Sequence, residues 1–193
     1  VLAAVVISAI GCSTPSDPQS EAASIAPPAA PSIVGKAARG TVVTLEPTVS
    51  REFPLPEGPA IMDQYAKQFV PDMLLVRVGQ PVEFRNSEDS PHNVNVNRIP
   101  TGAAVFNVAT APYQKYVHTF DQPGQYAVAC DIHPGMLATV VAATTPYVAV
   151  ADGTGTFQFA DLTSGEYRLR WAGATNGEKQ VTVGAGATNV TVP

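Results

Sequence analysis

Helix-forming pattern is what this chain of 193 residues most lacks. Val, Thr, Gly and Pro dominate, and beyond the first ten residues only Ala60–Lys67 carries the composition for a turn or two of helix. The sequence therefore predicts an all-β protein. Charge is scarce too, at 14% of residues with a net −5 and no cluster of Lys or Arg. That balance excludes nucleic acid and an anionic membrane surface as partners. Only two cysteines are present, Cys12 and Cys130, so no disulfide framework can form. Dense runs of oxygen ligands are missing as well. Asp152 and Asp161 stand in Gly-containing turns and are read as turn chemistry, not as a calcium loop.

The termini divide unevenly. Val1–Ile10 is apolar but too short to span a bilayer comfortably, and Gly11-Cys12 follows it. This is the pattern of a bacterial secretion signal ending in a lipobox, so residues 1–12 are expected to be a signal with Cys12 as the lipidated mature N-terminus. Residues 13–32 hold five prolines among Ala and Ser with almost no large apolar groups. Such a segment buries too little surface to offset its ordering entropy, and an extended tether is expected there. Ser13 after the cysteine, in place of Asp, points to a cell-envelope location facing the periplasm or exterior.

What is present in concentrated form is metal-ligand chemistry. Cys130-Asp131-Ile132-His133-Pro134-Gly135-Met136 places a thiolate, an imidazole and a thioether within seven residues. A site cycling between Cu(I) and Cu(II) needs a soft thiolate, imidazoles that suit both states, and a weak axial donor. A second imidazole is available in Ser90-Pro91-His92-Asn93-Val94-Asn95-Val96, where Val alternates with polar residues as in a half-buried strand. Each residue alone is ordinary: a single Cys or Met in a β-protein usually belongs to its core. Together they make a candidate mononuclear copper set of His92, Cys130, His133 and Met136.

Pro91–Val94 and the Tyr126–Met136 loop resemble the cupredoxins, or blue copper proteins, and the loop spacing is similar to that of the short amicyanin loop. Further resemblance lies in Val76–Asn86, similar to the strand pair leading to the first His, and in Thr119–Tyr126, similar to the hairpin entering the Cys strand. The likeness covers about residues 61–143. It implies a Greek-key β-sandwich with one type 1 copper ion bound by both imidazoles through Nδ1, by Cys130 Sγ, and by Met136 as a long axial contact. It also implies that Asn93 hydrogen-bonds across to the Cys130 loop, with Pro134 limiting loop freedom. His118 matches no ligand position of the family. Asp131, after the ligand cysteine, departs from the family pattern and puts a carboxylate beside the copper loop. Residues 97–118 have no clear counterpart beyond generic strands.

Beyond Val141 the character changes. Tyr147–Phe159 reads as strand, Gly-rich turn, strand, and Leu162–Trp171 repeats it with Tyr167, Leu169 and Trp171 on one face. This run resembles the transthyretin-like or carboxypeptidase-regulatory-like β-sandwich, which carries a D-x-x-G-x-F hairpin. Fifty residues are few for a stable sandwich, and Ser32–Pro47 looks like its opening strands. The expected organisation is thus a cupredoxin at 51–143 nested in a discontinuous sandwich of 33–50 and 144–193. The competing arrangement gives 33–60 to the cupredoxin. Contacts of Val43 or Leu45 with Tyr147–Val150 favour the first, and contacts with Val76 or Val140 the second.

The function implied is transfer of single electrons to a redox partner protein by a membrane-anchored lipoprotein. Enzymatic turnover is not expected, since four protein ligands leave no open coordination position. The alternatives are a copper delivery or sensing module and a metal-free structural or adhesion protein.

Overall fold

The computed structural model describes residues 29–193, and these form sixteen strands with no helix among them. The expected helical turn at Ala60–Lys67 is instead strand β3, Ala60–Tyr65. Its period is two, not 3.6: Met62 and Gln64 are fully buried while Ile61 and Tyr65 are exposed. Parallel pairing with β6, Pro81–Asn86, then outweighs the weak helical preference of this short run.

Two sheets enclose the first core. One has the order β5 (Met73–Arg77), β11 (Leu137–Ala143), β10 (Gly124–Ala129), β7 (His92–Ile99), β8 (Ala104–Thr110). The other has β4 (Gln68–Val70), β3, β6, β9 (Lys115–Thr119). Between them lie Met62, Phe84, Val94, Val96, Phe120, Val128, Cys130, Met136 and Val140. Val94 and Val96 point inward, and the intervening Asn95 and Asn97 lie on the opposite face of β7.

A second pair of sheets has its own core of Ile33, Val43, Leu45, Phe157, Tyr167, Leu169 and Val183. Here β1 (Ser32–Lys36) lies between β13 (Thr156–Phe159) and β16 (Ala187–Thr191). The facing sheet runs β12 (Val148–Val150), β2 (Val42–Pro47), β14 (Gly165–Ala172), β15 (Asn176–Val183). Val43 pairs with Ala149 and Trp171, and Leu45 with Leu169. The described chain thus runs first in one sandwich, crosses at residues 48–59 into the other, and returns after Ala143. Already at Ala29 it is built in, because Ala29 O accepts from Gly186 N–H and Pro31 O from Leu162 N–H. The expected tether through residue 32 therefore stops short of Ala29, and the expected signal, its Cys12 and the rest of the tether lie outside the described residues.

Three strand–turn–strand runs read from sequence do not pair as hairpins. β5 and β6, β9 and β10, and β12 and β13 each place their two strands in opposite sheets of a sandwich. Glycine makes two of these turns at positive φ, Gly79 at 87° and Gly155 at 73°. The loop from Cys130 to Met136, by contrast, closes a true hairpin between β10 and β11, with Cys130 N–H donating to Met136 O at 3.1 Å.

At the junction Arg77 lies over the Phe53 ring and donates to Thr144 O at 2.8 Å. Phe53 packs edge-on against Tyr147. Both crossing segments are thereby fixed to one strand end of the first sandwich.

Candidate metal centre

His92 opens β7 and is fully buried. Cys130 follows β10, His133 sits on the β10–β11 loop, and Met136 ends that loop, with Cys130 and Met136 both buried. Antiparallel pairing of β7 with β10 brings the start of one beside the end of the other, so residues 38 apart in sequence meet. Cys130 Sγ lies 3.7 Å from His92 Nδ1 and 3.7 Å from His133 Nδ1, and the two Nδ1 atoms are 3.0 Å apart. Met136 N–H donates to His133 O at 3.2 Å, which turns the loop back on itself. Gly135 at φ 87° makes that reversal.

The donor set fits a first-row transition metal. A point equidistant from the three donor atoms lies about 2 Å from each, close to the metal–imidazole and metal–thiolate lengths of about 2.0–2.3 Å known for zinc. A thiolate and two imidazoles match copper's preference for soft and borderline donors, and Met136, buried at the end of the same loop, offers a thioether. His92 is oriented by its far side: Nε2 bonds the Glu88 carboxylate at 2.5 Å. Nε2 then carries the proton, and the Nδ1 lone pair faces Cys130 and His133. Burial by itself raises the Glu88 carboxyl, but the hydrogen bond from His92, with those of the Lys67 and Ala66 backbone, outweighs it and holds the group below the usual carboxylate range.

Buried amides join the loops at this end. Gln64 on β3 donates to Asn93 O at 3.0 Å and accepts from Thr110 Oγ1 at 2.6 Å. Asn86 on β6 donates to Ser90, Thr110 and Ala111 carbonyls and accepts from Glu88 N–H. Asn93 Oδ1 accepts from Asp131 N–H at 2.7 Å, joining the His92 strand to the ligand loop. Asp131, an exposed carboxylate, accepts from the side-chain amides of Asn93, Asn95 and Asn107, each at 2.9 Å. The amides of Asn95 and Asn107, and then that of Asn93, hold its carboxyl below the ordinary value, with burial opposing.

Not every candidate converges. His118 lies on β9, packed against Phe106 with ring centroids 4.5 Å apart, and stands outside the His92–Cys130–His133 cluster. Burial lowers its pKa, with Asp121 opposing. Pro134 is exposed. Asp152 Oδ1 accepts from Thr154 and Thr156 N–H in its own turn. Glu88, Gln64, Asn86, Asn95 and Asn107 were not singled out from the sequence. The spacing Glu88–His92 and the alternating Asn93, Asn95, Asn97 are the signals that carry part of that set.

Comparison with known proteins agrees with this geometry. The family described as copper binding proteins, plastocyanin/azurin family, matches residues 60–143, which is the stretch from β3 to the end of β11. Plastocyanin of Prochlorothrix hollandica is 33% identical over 85 residues, 40% of this chain and 65% of that protein, so just under two thirds of its length is spanned. Plastocyanin of Ulva prolifera is 31% identical over 80 residues, 38% of this chain and 82% of that protein. That of Ginkgo biloba is 31% identical over 77 residues, 35% and 78% respectively. Among solved structures, a reduced amicyanin variant aligns at 27% identity over 52% of this chain and 99% of its own, with a TM-score of 0.41. Family and donor set together give one copper ion as cofactor. The chain belongs to the plastocyanin/azurin family of copper-binding proteins.

Proposed function

We propose that this chain is a single-electron carrier of the cell envelope, with copper held by His92 Nδ1, Cys130 Sγ and His133 Nδ1 and by Met136 as weak axial donor. The observation that carries the reading is the convergence of one thiolate and two imidazole nitrogens within 3.7 Å at a buried strand end. Copper bound there supplies a Cu(I)/Cu(II) couple.

The protein's part is to hold its donors still. Glu88 fixes the His92 ring, Asn93 fixes the loop bearing Cys130, and Pro134 restricts the chain between His133 and Met136. A ligand frame that does not move between oxidation states keeps reorganisation small, which favours exchange over turnover. Four protein donors leave no vacant position for a substrate, so no enzymatic role is proposed.

Around half-buried His133 the surface is mostly uncharged, with Asp131 the exposed charge at its edge: Pro91, Pro134 and Gly135 are exposed, and Ile132 is 51% exposed. An apolar patch of this kind suits transient docking of a redox partner protein. Residues 13–28 are proposed as a tether from a lipid on Cys12, giving the carrier reach from a membrane facing the periplasm or exterior. The sandwich of 33–50 and 144–193 is proposed as the base between tether and copper module, because the chain leaves it for the copper module at residues 48–59 and returns to it after Ala143.

A spectroelectrochemical titration of the copper-loaded chain tests the carrier reading. Reversible one-electron bleaching of the thiolate-to-copper band is expected. Tight Cu(I) retention with no reversible oxidation favours a delivery or sensing module instead.

A further inference from the structure

Asp131 is the departure from the family pattern at the ligand loop, and the structure surrounds it in an unusual way. Three primary amides converge on its one carboxylate: Asn95 Nδ2 on Oδ1, and Asn93 Nδ2 and Asn107 Nδ2 on Oδ2. The donors come from two strands, β7 and β8, which are themselves paired at Asn95↔Asn107. Asn93 closes a ring with Asp131, accepting from its backbone N–H while donating to its side chain. Asn93 Nδ2 also donates to Asn107 Oδ1 at 2.8 Å, and Asn97 Nδ2 donates to Asn95 Oδ1 at 3.0 Å. Each amide in the array is thereby turned with its N–H toward the carboxylate, where charge-assisted hydrogen bonds are the stronger kind.

Such an array has no role in the core, because Asp131 and Asn107 are exposed and Asn95 partly so. An exposed carboxylate solvated by water has no need of three protein donors. What distinguishes this one is its place directly after Cys130. Fixing Asp131 by side chain and backbone at once fixes the peptide that carries the thiolate.

We propose that Asp131 is a positioning residue for Cys130 and that the Asn93–Asn95–Asn107 array sets how much of its negative charge the metal site feels. The inference rests on the copper reading above. Two opposed effects follow. The carboxylate favours the more highly charged oxidised ion and so lowers the reduction potential. The amide dipoles, positive ends on the carboxylate, offset part of that field and raise it.

The test compares three chains, each loaded with copper: the parent, Asp131→Asn, and Asn95→Ala/Asn107→Ala. The midpoint potential is expected to rise in Asp131→Asn and to fall in the double Asn variant, with the thiolate-to-copper band retained in both. Opposite signs are the signature, since simple loosening of the loop shifts both variants the same way. In the copper-free chains, amide hydrogen exchange at Asp131 and Ile132 is expected to be faster in the double variant than in the parent. Should Asp131→Asn not fold, the double variant alone decides by the sign of its shift together with its exchange rate. Unmoved potentials, or shifts of one sign, with the band intact overturn the inference and leave the copper reading standing. Absence of the band in the parent overturns both.

Discussion

The two sandwiches enter a central strand in the same way and diverge only at its end. Gln122-Pro123-Gly124-Gln125-Tyr126 leads into β10, and Thr163-Ser164-Gly165-Glu166-Tyr167 leads into β14. In each, glycine takes a φ near 150° two residues before a buried tyrosine, at 153° for Gly124 and 152° for Gly165. In each, the tyrosine hydroxyl donates 2.7 Å to the carbonyl four residues back, Gln122 O or Thr163 O. This is the corner device of antiparallel sandwiches, in which a buried ring with a satisfied hydroxyl pins the strand's entry. After the corner, β10 leads into Cys130 and a loop with His133 and Met136, and buried His92 faces them. β14 ends at Ala172 and turns through Gly173 into β15 with no such donors. The same strand-entry corner thus serves a metal frame or a plain sandwich, according to the side chains at the far strand end.

The largest effect that sharpens this contrast comes from breaking one core while reading both. Leu169 is fully buried in the second sandwich, and Leu169→Ala is expected to cost about 2–5 kcal/mol there. The sole tryptophan, Trp171, packs against that core and reports it, while the copper band reports the other. In urea, the fluorescence transition of Leu169→Ala is expected to move to lower concentration with the visible band still present at that point. Coincident loss of both signals means that the two cores unfold as one unit.

At the metal end, Glu88→Ala leaves the His92 Nε2–H without its partner inside a fully buried site. Copper affinity is expected to fall about 10–100-fold, as for other partners behind a ligating histidine. Competition with a chelator measures it, and an unchanged affinity means that Glu88 does not orient the ring.

Smaller effects separate the two corners. Tyr126 OH also accepts from Arg98 at 3.1 Å, whereas Tyr167 OH makes the single bond to Thr163 O. Tyr167→Phe is expected to cost about 1 kcal/mol and Tyr126→Phe somewhat more, by denaturant midpoints. Equal costs contradict a contribution from Arg98.

The smallest effect concerns acid. Glu83, on β6 in the copper module, is held below the ordinary carboxylate range by hydrogen bonds from Lys115 first and Arg85 second, with burial opposing. A depressed folded value means that its stabilisation is complete above the ordinary range and is lost as pH falls through the lowered one. Melting of the copper-free Glu83→Gln chain is expected to depend less steeply on acid pH than the parent's. Identical slopes contradict the pair's role.

Much of this was legible in the sequence where chemistry or period two carried it. The inward Val94 and Val96, the shared face of Tyr167 and Leu169, and the soft-donor loop all follow from side-chain type and spacing. The period of β3 was harder, because six residues of mixed composition do not separate strand from a helical turn. Pairing was least legible. Gly79, Pro123-Gly124 and Gly155 mark turns correctly, yet a turn does not say whether its strands pair or cross to the opposite sheet. That is settled by which strand each run pairs with: β13 pairs with β1, with Phe157 opposite Gly35, while β12 pairs with β2 in the facing sheet, with Ala149 opposite Val43. Glu88 was not singled out because its role needs the loop geometry that Asn86 imposes. Asn107 was not because its partner, Asp131, lies 24 residues away on another strand end.

The most direct test of the central claim is the visible absorption and EPR spectrum of the copper-loaded, oxidised chain beside its Cys130→Ala variant. An intense thiolate-to-copper band with narrow copper hyperfine splitting, lost in the variant while Trp171 fluorescence still reports a folded second sandwich, is the predicted result. A colourless parent that retains no copper, or a spectrum the variant leaves unchanged, contradicts the account.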